Sequence, residues 1–194
     1  GLYGCHLKSS PNLKIINGDI RDIKKLENIV KNQDIIIHLA CISNDPSFEL
    51  NPRLGKSINF DCFEPLVLFA KKNGVKKFIF ASSSSVYGVK EEEHVTEELD
   101  LVPISVYNKT KMVAERVLLS FQNDMQIHNI RPATVCGWSP RMRLDVSVNM
   151  LTLQALKNGK ITVFGGKQTR PNIHIKDMVR IYQHFLANPD LPSG

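Results

Sequence analysis

The chain has few cysteines, no long apolar run and no tract of one charge type, and each of these absences removes a class of function. Its four cysteines, Cys5, Cys41, Cys62 and Cys136, lie far apart with no Cys-x-x-Cys spacing, so no zinc-ligand pattern is present and no metal is expected. Reduced, mostly buried thiols are the simpler reading. No apolar stretch approaches the ~18 residues of a membrane span, and no secretory pattern opens the chain; the expectation is a cytoplasmic protein with no membrane partner. The formal charge of +6 comes largely from lysines scattered in short pairs, such as Lys24-Lys25, Lys71-Lys72 and Lys76-Lys77. No arginine-rich tract or stacking ribonucleoprotein motif accompanies them, so a solvated lysine surface is read in preference to a nucleic-acid partner. Internal repeats, low-complexity segments and linkers are absent as well. With 194 residues, 42% hydrophobic and 23% charged, the chain can bury a sizeable core as one domain or a little more.

What is present begins with hydrophobic periodicity. Leu13 to Asn17 reads as a short strand and Ile23 to Lys31 as a helix. Asp34 to Ala40 is a near-continuous apolar run of the kind buried on both faces of a parallel sheet. Ser57 to Asn73 repeats apolar residues at helical spacing and closes on Gly74, a favourable C-terminal stop. Lys77 to Ala81 is the next strand, Tyr107 to Phe121 a helix, and Gln126 to Val135 a strand. Ser147 to Asn158 is helical up to Gly159, Ile161 to Phe164 is a strand, and Lys176 to Ala187 is the last helix. Alternating strands and helices predict a doubly wound α/β parallel sheet.

The candidate chemistry lies in Ser105-Val-Tyr107-Asn-Lys-Thr-Lys111. A phenol and an ammonium four residues apart share one helix face. The ammonium favours the phenolate, which can then exchange a proton with a substrate hydroxyl near neutral pH. Upstream, the apolar run from Val75 ends in four serines and Val86-Tyr87-Gly88. A strand ending in serines, followed by Tyr-x-x-x-Lys on a helix, resembles the extended short-chain dehydrogenase/reductase family, in particular its NAD-dependent nucleotide-sugar epimerases and dehydratases. Further matches fall in the family's order: Gly18-Asp19-Ile20-Arg21-Asp22, His38-Leu39-Ala40, Arg131-Pro132-Ala133-Thr134-Val135, and Val163-Phe164-Gly165-Gly166 leading to Arg170 and Ile173-His174-Ile175.

The resemblance implies a Rossmann-like sheet over residues 1–136 and 173–194, and part of a small substrate-binding region at 137–172. It implies catalytic roles for Ser83, Tyr107 and Lys111. It places Asp19 and Ile20 at an adenine, Leu39 and Ala40 beside the adenosine ribose and pyrophosphate, Lys111 on the nicotinamide ribose and Ala133 near the nicotinamide. Ser83, Thr134, Asn149, Val163, Phe164 and Arg170 would face a nucleoside-diphosphate sugar, with Arg170 suited to bidentate contact with phosphate. Read without the family, Asp19 and Leu39 are a strand end and a turn, Phe164 is core, Asn149 a solvated helix residue and Arg131 an ion-pair partner. His174 reads as structural. The helices at 57–73 and 107–121 match those that form a four-helix dimer interface, which implies a homodimer.

Two features refine the expectation. The glycine-rich turn that receives a pyrophosphate, and the second strand whose acid selects the cofactor, are not found. The chain therefore reads as an internal fragment of a longer protein that holds its cofactor poorly alone; NAD is expected, with NADP left open. Dehydratases of the family follow the catalytic Ser/Thr with Asp-Glu, and decarboxylases carry Glu at the second of these positions. Here they are Ser84 and Ser85, which leaves a 4-epimerase, or alternatively an NADPH-dependent 4-ketoreductase. A nucleotide-binding module without turnover is the reading from a different class.

Overall fold

The computed structural model describes Leu7 and residues 10–194; Gly1-Leu-Tyr-Gly4 and Cys5 fall outside the described residues. The chain divides into two compact units, one of residues 18–131 with 188–194, the other of 1–17 with 132–187.

The larger unit is built on three parallel strands, β1 (Ile35–His38), β2 (Lys77–Ala81) and β3 (Gln126–Ile130), in the order β1-β2-β3. Their register is unbroken, with His38 opposite Phe80 and Phe80 opposite Asn129. Parallel neighbours need helical crossovers: α2 (Asp45–Glu49), α3 (Pro52–Lys56) and α4 (Phe63–Lys72) lie between β1 and β2, α5 (Val106–Leu119) lies between β2 and β3, and α1 (Ile23–Val30) precedes β1. Leu26, Val30, Phe63, Leu66, Val67, Phe78, Phe80, Leu118 and Ile127 form one apolar core between helices and sheet. The terminal residues return to β3: Gly194 N–H donates to Ile127 O, and Asn129 N–H to Gly194 O.

Several expectations are corrected here. Strand β1 is not buried on both faces, because Ile35 and Ile37 are 37% and 38% exposed. It lies at the sheet edge, and only its Ile36 and His38 side meets the core. The segment 57–73 is not one helix: α3 passes through a π turn at Ser57–Asp61 before α4 begins. Pro65 is the cause, since its ring would clash with the carbonyl four residues earlier and it lacks an N–H. In the third position of α4 its missing donor is harmless. Helices α2 and α3 are not among the elements expected from the sequence.

In the smaller unit β4 (Thr134–Cys136) pairs in parallel with β5 (Asn172–His174), flanked by α6 (Ser147–Asn158) and α7 (Ile175–Ala187). The expected strand Gln126 to Val135 is thus two strands in two sheets. Pro132 cannot donate to a ladder, and the chain leaves the first sheet there. Leu13 to Asn17 and Ile161 to Phe164 are not strands among the described residues. The latter runs into Gly165 and Gly166 at φ +80° and +94°, a turn that Gln168 closes by donating to Phe164 O and accepting from Gly166 N–H. Helix α6 ends as expected on Gly159, at φ +62°.

Of the cysteines, Cys62 is buried while Cys41 and Cys136 are half-buried, and all three are free. Among the described residues no helix is long and apolar enough to cross a membrane.

Candidate active site

The carboxyl ends of β1 and β2 emerge side by side, which follows from the register that sets His38 against Phe80. Beyond β1 come Leu39, 58% exposed, and exposed Ala40; beyond β2 come the four serines. In open parallel sheets ligands bind outside such carboxyl ends. The loop after β1 is pinned by Asn59, buried in the π turn, whose amide accepts from Ile42 N–H and donates to Ile42 O.

Helix α5 brings Tyr107 and Lys111 to this edge. Ser105 caps it by accepting from Asn108 N–H at 3.1 Å, and Ser105 itself donates to Asp45 at the start of α2 at 2.5 Å. Two residues after the cap, Tyr107 is 8% exposed, with the Phe48 ring 6.4 Å from its own. The Phe48 ring packs directly on Gly55, where a Cβ would lie 2.6 Å from it. One turn further, Lys111 is 4% exposed, donates to Ala81 O at 2.7 Å and lies 4.7 Å from the centre of the Phe80 ring. Burial pulls the Lys111 ammonium below its usual pKa, opposed by contacts with Cys41 and by the charge of Glu115.

Ser83 caps a short 3-10 turn, Ser84–Tyr87. Its hydroxyl accepts from Ser85 N–H at 3.2 Å and lies 2.7 Å from Ser85 Oγ, and Ser85 donates to Asn108 Oδ1 at 2.6 Å. The serine turn is thereby tied to the residue next to Tyr107. Ser82 plays a different part: it donates to Glu115, a carboxylate 1% exposed that Arg131 also grips through two nitrogens, at 2.7 Å for the shortest contact. Arg131 further donates to the Tyr87 hydroxyl at 2.8 Å and lies over that ring. Although burial acts against its charge, these bonds raise the Arg131 pKa above its ordinary value. The ion-pair reading of Arg131 is the observed one.

The remaining candidates are distributed between the units. Asp19 is exposed, and its carboxylate is held well below the usual range, at about 2, by side-chain and backbone hydrogen bonds from Arg21. Ile20 packs partly against the core. In the smaller unit Ala133 is half-buried in the link to β4, and Thr134 opens β4 opposite Asn172. Asn149 is buried and spends its amide internally, accepting from Gly137 N–H and donating to Arg143 O. It is therefore not a solvated helix residue. Val163 and Phe164 are 56% and 79% exposed, so Phe164 is not core. Arg170 is exposed with no ion pair among the described residues.

Sequence reasoning missed Asn108, Glu115 and Phe48. Glu115 carried a signal, since it lies one turn beyond Lys111 on the same face. Asn108 and Phe48 carried none, because their partners come from distant segments.

The chain is 31% identical over 180 residues to a UDP-glucuronate 4-epimerase of Thermodesulfobacterium geofontis, covering 90% of this chain and 55% of that protein. It is 30% identical over 193 residues to UDP-glucuronic acid decarboxylase 1 of Arabidopsis thaliana, covering 94% and 42%. The structure of MoeE5 in complex with UDP-glucuronic acid and NAD superposes with a TM-score of 0.80 at 27% identity, over 92% of this chain and 60% of that one. The chain thus spans about half the length of the curated relatives it matches, and those relatives differ in the reaction for which they are named. The sequence model of the NAD dependent epimerase/dehydratase family matches residues 3–194, and on that match the chain belongs to this family.

Proposed function

We propose that the protein is a nucleotide-sugar 4-epimerase that uses NAD. The observation that carries the reading is the turn after Ser83, which offers hydroxyls where loss of water would require a carboxylic acid and a carboxylate. The carboxylate bonded to the neighbouring Ser82, Glu115, is clamped by Arg131 as well and is not available to carry protons. The named chemistry of relatives alone would leave epimerase, dehydratase and decarboxylase equal; the serine turn favours the first.

The residues at the strand ends suit the cofactor. Exposed Leu39 and Ala40 and the buried ammonium of Lys111 fit a dinucleotide lying across the carboxyl edge, with Asp19 and Ile20 toward its adenine; family resemblance gives Ala133 the place near the nicotinamide. When bound, NAD supplies reversible oxidation at the sugar C4. Tyr107, as phenolate, takes the proton of the sugar 4-hydroxyl and later returns it. Lys111 favours that phenolate and holds the nicotinamide ribose. Ser83 hydrogen-bonds the same sugar oxygen. For the nucleotide diphosphate, Arg170, Phe164 and Val163 present exposed groups, Thr134 lies at the start of β4, and Asn149 shapes the loop at Gly137. The same proposal assigns 1–136 with 173–194 to cofactor binding, 137–172 to the substrate, and a homodimer to α4 and α5.

The test is a panel of nucleotide hexoses given to the whole protein with catalytic NAD. Interconversion of 4-epimers without lasting 340 nm absorbance is expected, and Tyr107→Phe should abolish it while leaving cofactor affinity within about threefold. A 4-keto-6-deoxy product, stoichiometric NADPH consumption with a 4-keto sugar, or an active Tyr107→Phe variant would each overturn the assignment.

A further inference from the structure

We infer that Asn108 sets the direction of the proton on Ser83, so that the resting site receives a sugar alcohol in preference to a ketone. The inference rests on the reading of Ser83 as the residue that meets the sugar oxygen. It begins with a count of protons along three side chains. The Oδ1 atom of Asn108 can only accept, and Ser85 Oγ lies 2.6 Å from it, so the single hydroxyl proton of Ser85 is committed there. Ser83 Oγ and Ser85 Oγ are 2.7 Å apart, and with the Ser85 proton already used the bond between them is donated by Ser83. One lone pair of Ser83 takes the N–H of Ser85. A hydroxyl oxygen has two lone pairs, so what Ser83 keeps for a ligand is an acceptor.

Such an oxygen matches the 4-hydroxyl of a sugar, which donates. A 4-keto group needs a donor, and Ser83 provides one only by swinging its proton away from Ser85 and leaving a hydrogen bond unmade. The chain is not free to drift. Asn108 is 7% exposed, so water competes poorly for its amide, and its backbone is held by Ser105, which is in turn bonded to Asp45. Asn108 is thus a positioning residue, acting through Ser85 on Ser83, and its place beside Tyr107 on α5 couples the hydroxyl direction to the helix that carries the phenol.

The experiment compares, by calorimetry on the whole protein loaded with NAD, the affinities for UDP-glucose and for UDP-4-keto-6-deoxyglucose. Asn108→Leu should move the alcohol-to-ketone affinity ratio toward the ketone by about tenfold, the effect of one net hydrogen bond. Asn108→Asp keeps the acceptor and should hold the ratio within about twofold. Ser85→Ala should shift the ratio in the same direction, and adding Asn108→Leu to it should change nothing more, a coupling that a merely structural role would not produce. A ratio unmoved in either Asn108→Leu or Ser85→Ala, or an Asp variant that shifts it as far as Leu, overturns the inference. Ser83→Ala separates the two levels of the argument. Loss of turnover in that variant with a silent Asn108→Leu defeats this inference alone, whereas an unaffected Ser83→Ala, or a parent that binds neither nucleotide, defeats the site reading together with it.

Discussion

Mild acid should destabilise this fold through His38. The imidazole sits at the end of β1, 6% exposed, with the Phe63, Phe80 and Phe78 rings 5.3, 5.8 and 6.3 Å away. Burial first, and then the Lys111 charge, press its pKa from an ordinary 6.5 down to about 4. Because the unfolded chain takes up its proton near pH 6.5 and the folded one resists until about pH 4, stability is complete above 6.5 and falls as the pH drops through that window. At about 1.4 kcal/mol per pH unit, the loss between pH 7 and pH 5 amounts to about 2 kcal/mol. Carboxylates contribute little above pH 5, since Asp19, Glu27 and Asp34 are all held below their ordinary range. His128 is also pressed down by burial and acts with the same sign, so the parent must be compared with His38→Phe, which keeps a ring among rings. Urea denaturation followed by circular dichroism at both pH values is the assay. The variant should lose about 2 kcal/mol less than the parent between pH 7 and 5; equal losses in the two proteins would refute the account of His38.

Two further outcomes test the framework of the site. Arg131→Met strands the buried Glu115 carboxylate and should cost about 3–5 kcal/mol in denaturant titrations, whereas Arg131→Met with Glu115→Leu should recover much of it; a single variant as stable as the parent would contradict the clamp. Gly88 stands at φ +75°, and a Cβ there would lie 2.2 Å from Val102 O. Gly88→Ala should therefore lower stability by more than the ~1 kcal/mol of backbone preference alone, seen as a fall in the thermal midpoint, and an unchanged midpoint would show that the turn can yield.

The local part of this protein was legible in its residues. Strand β2 falls where the run Lys77 to Ala81 indicated, α6 stops at Gly159, and Tyr107 and Lys111 share a face of α5 because a helix brings residues four apart together. These features depend on neighbours within a turn or two. Where the chain meets itself across distance, the residues alone were not enough. Nothing at Pro132 says that the next strand will join β5 instead of extending β3, and apolar Ile35 and Ile37 look as buried as Ile36 until the edge position of β1 is known. The polar network is the clearest case. Glu115, Arg131 and the pair Ser82 and Tyr87 come from three separate segments, and Asp45 and Ser85 reach the start of α5 from two distant ones. A buried polar group must find a partner wherever the fold places one, so which serine is tied to Glu115 and which to Asn108 was decided by the tertiary structure, while the sequence by itself determined only that serines, a phenol and an ammonium would be present to be arranged.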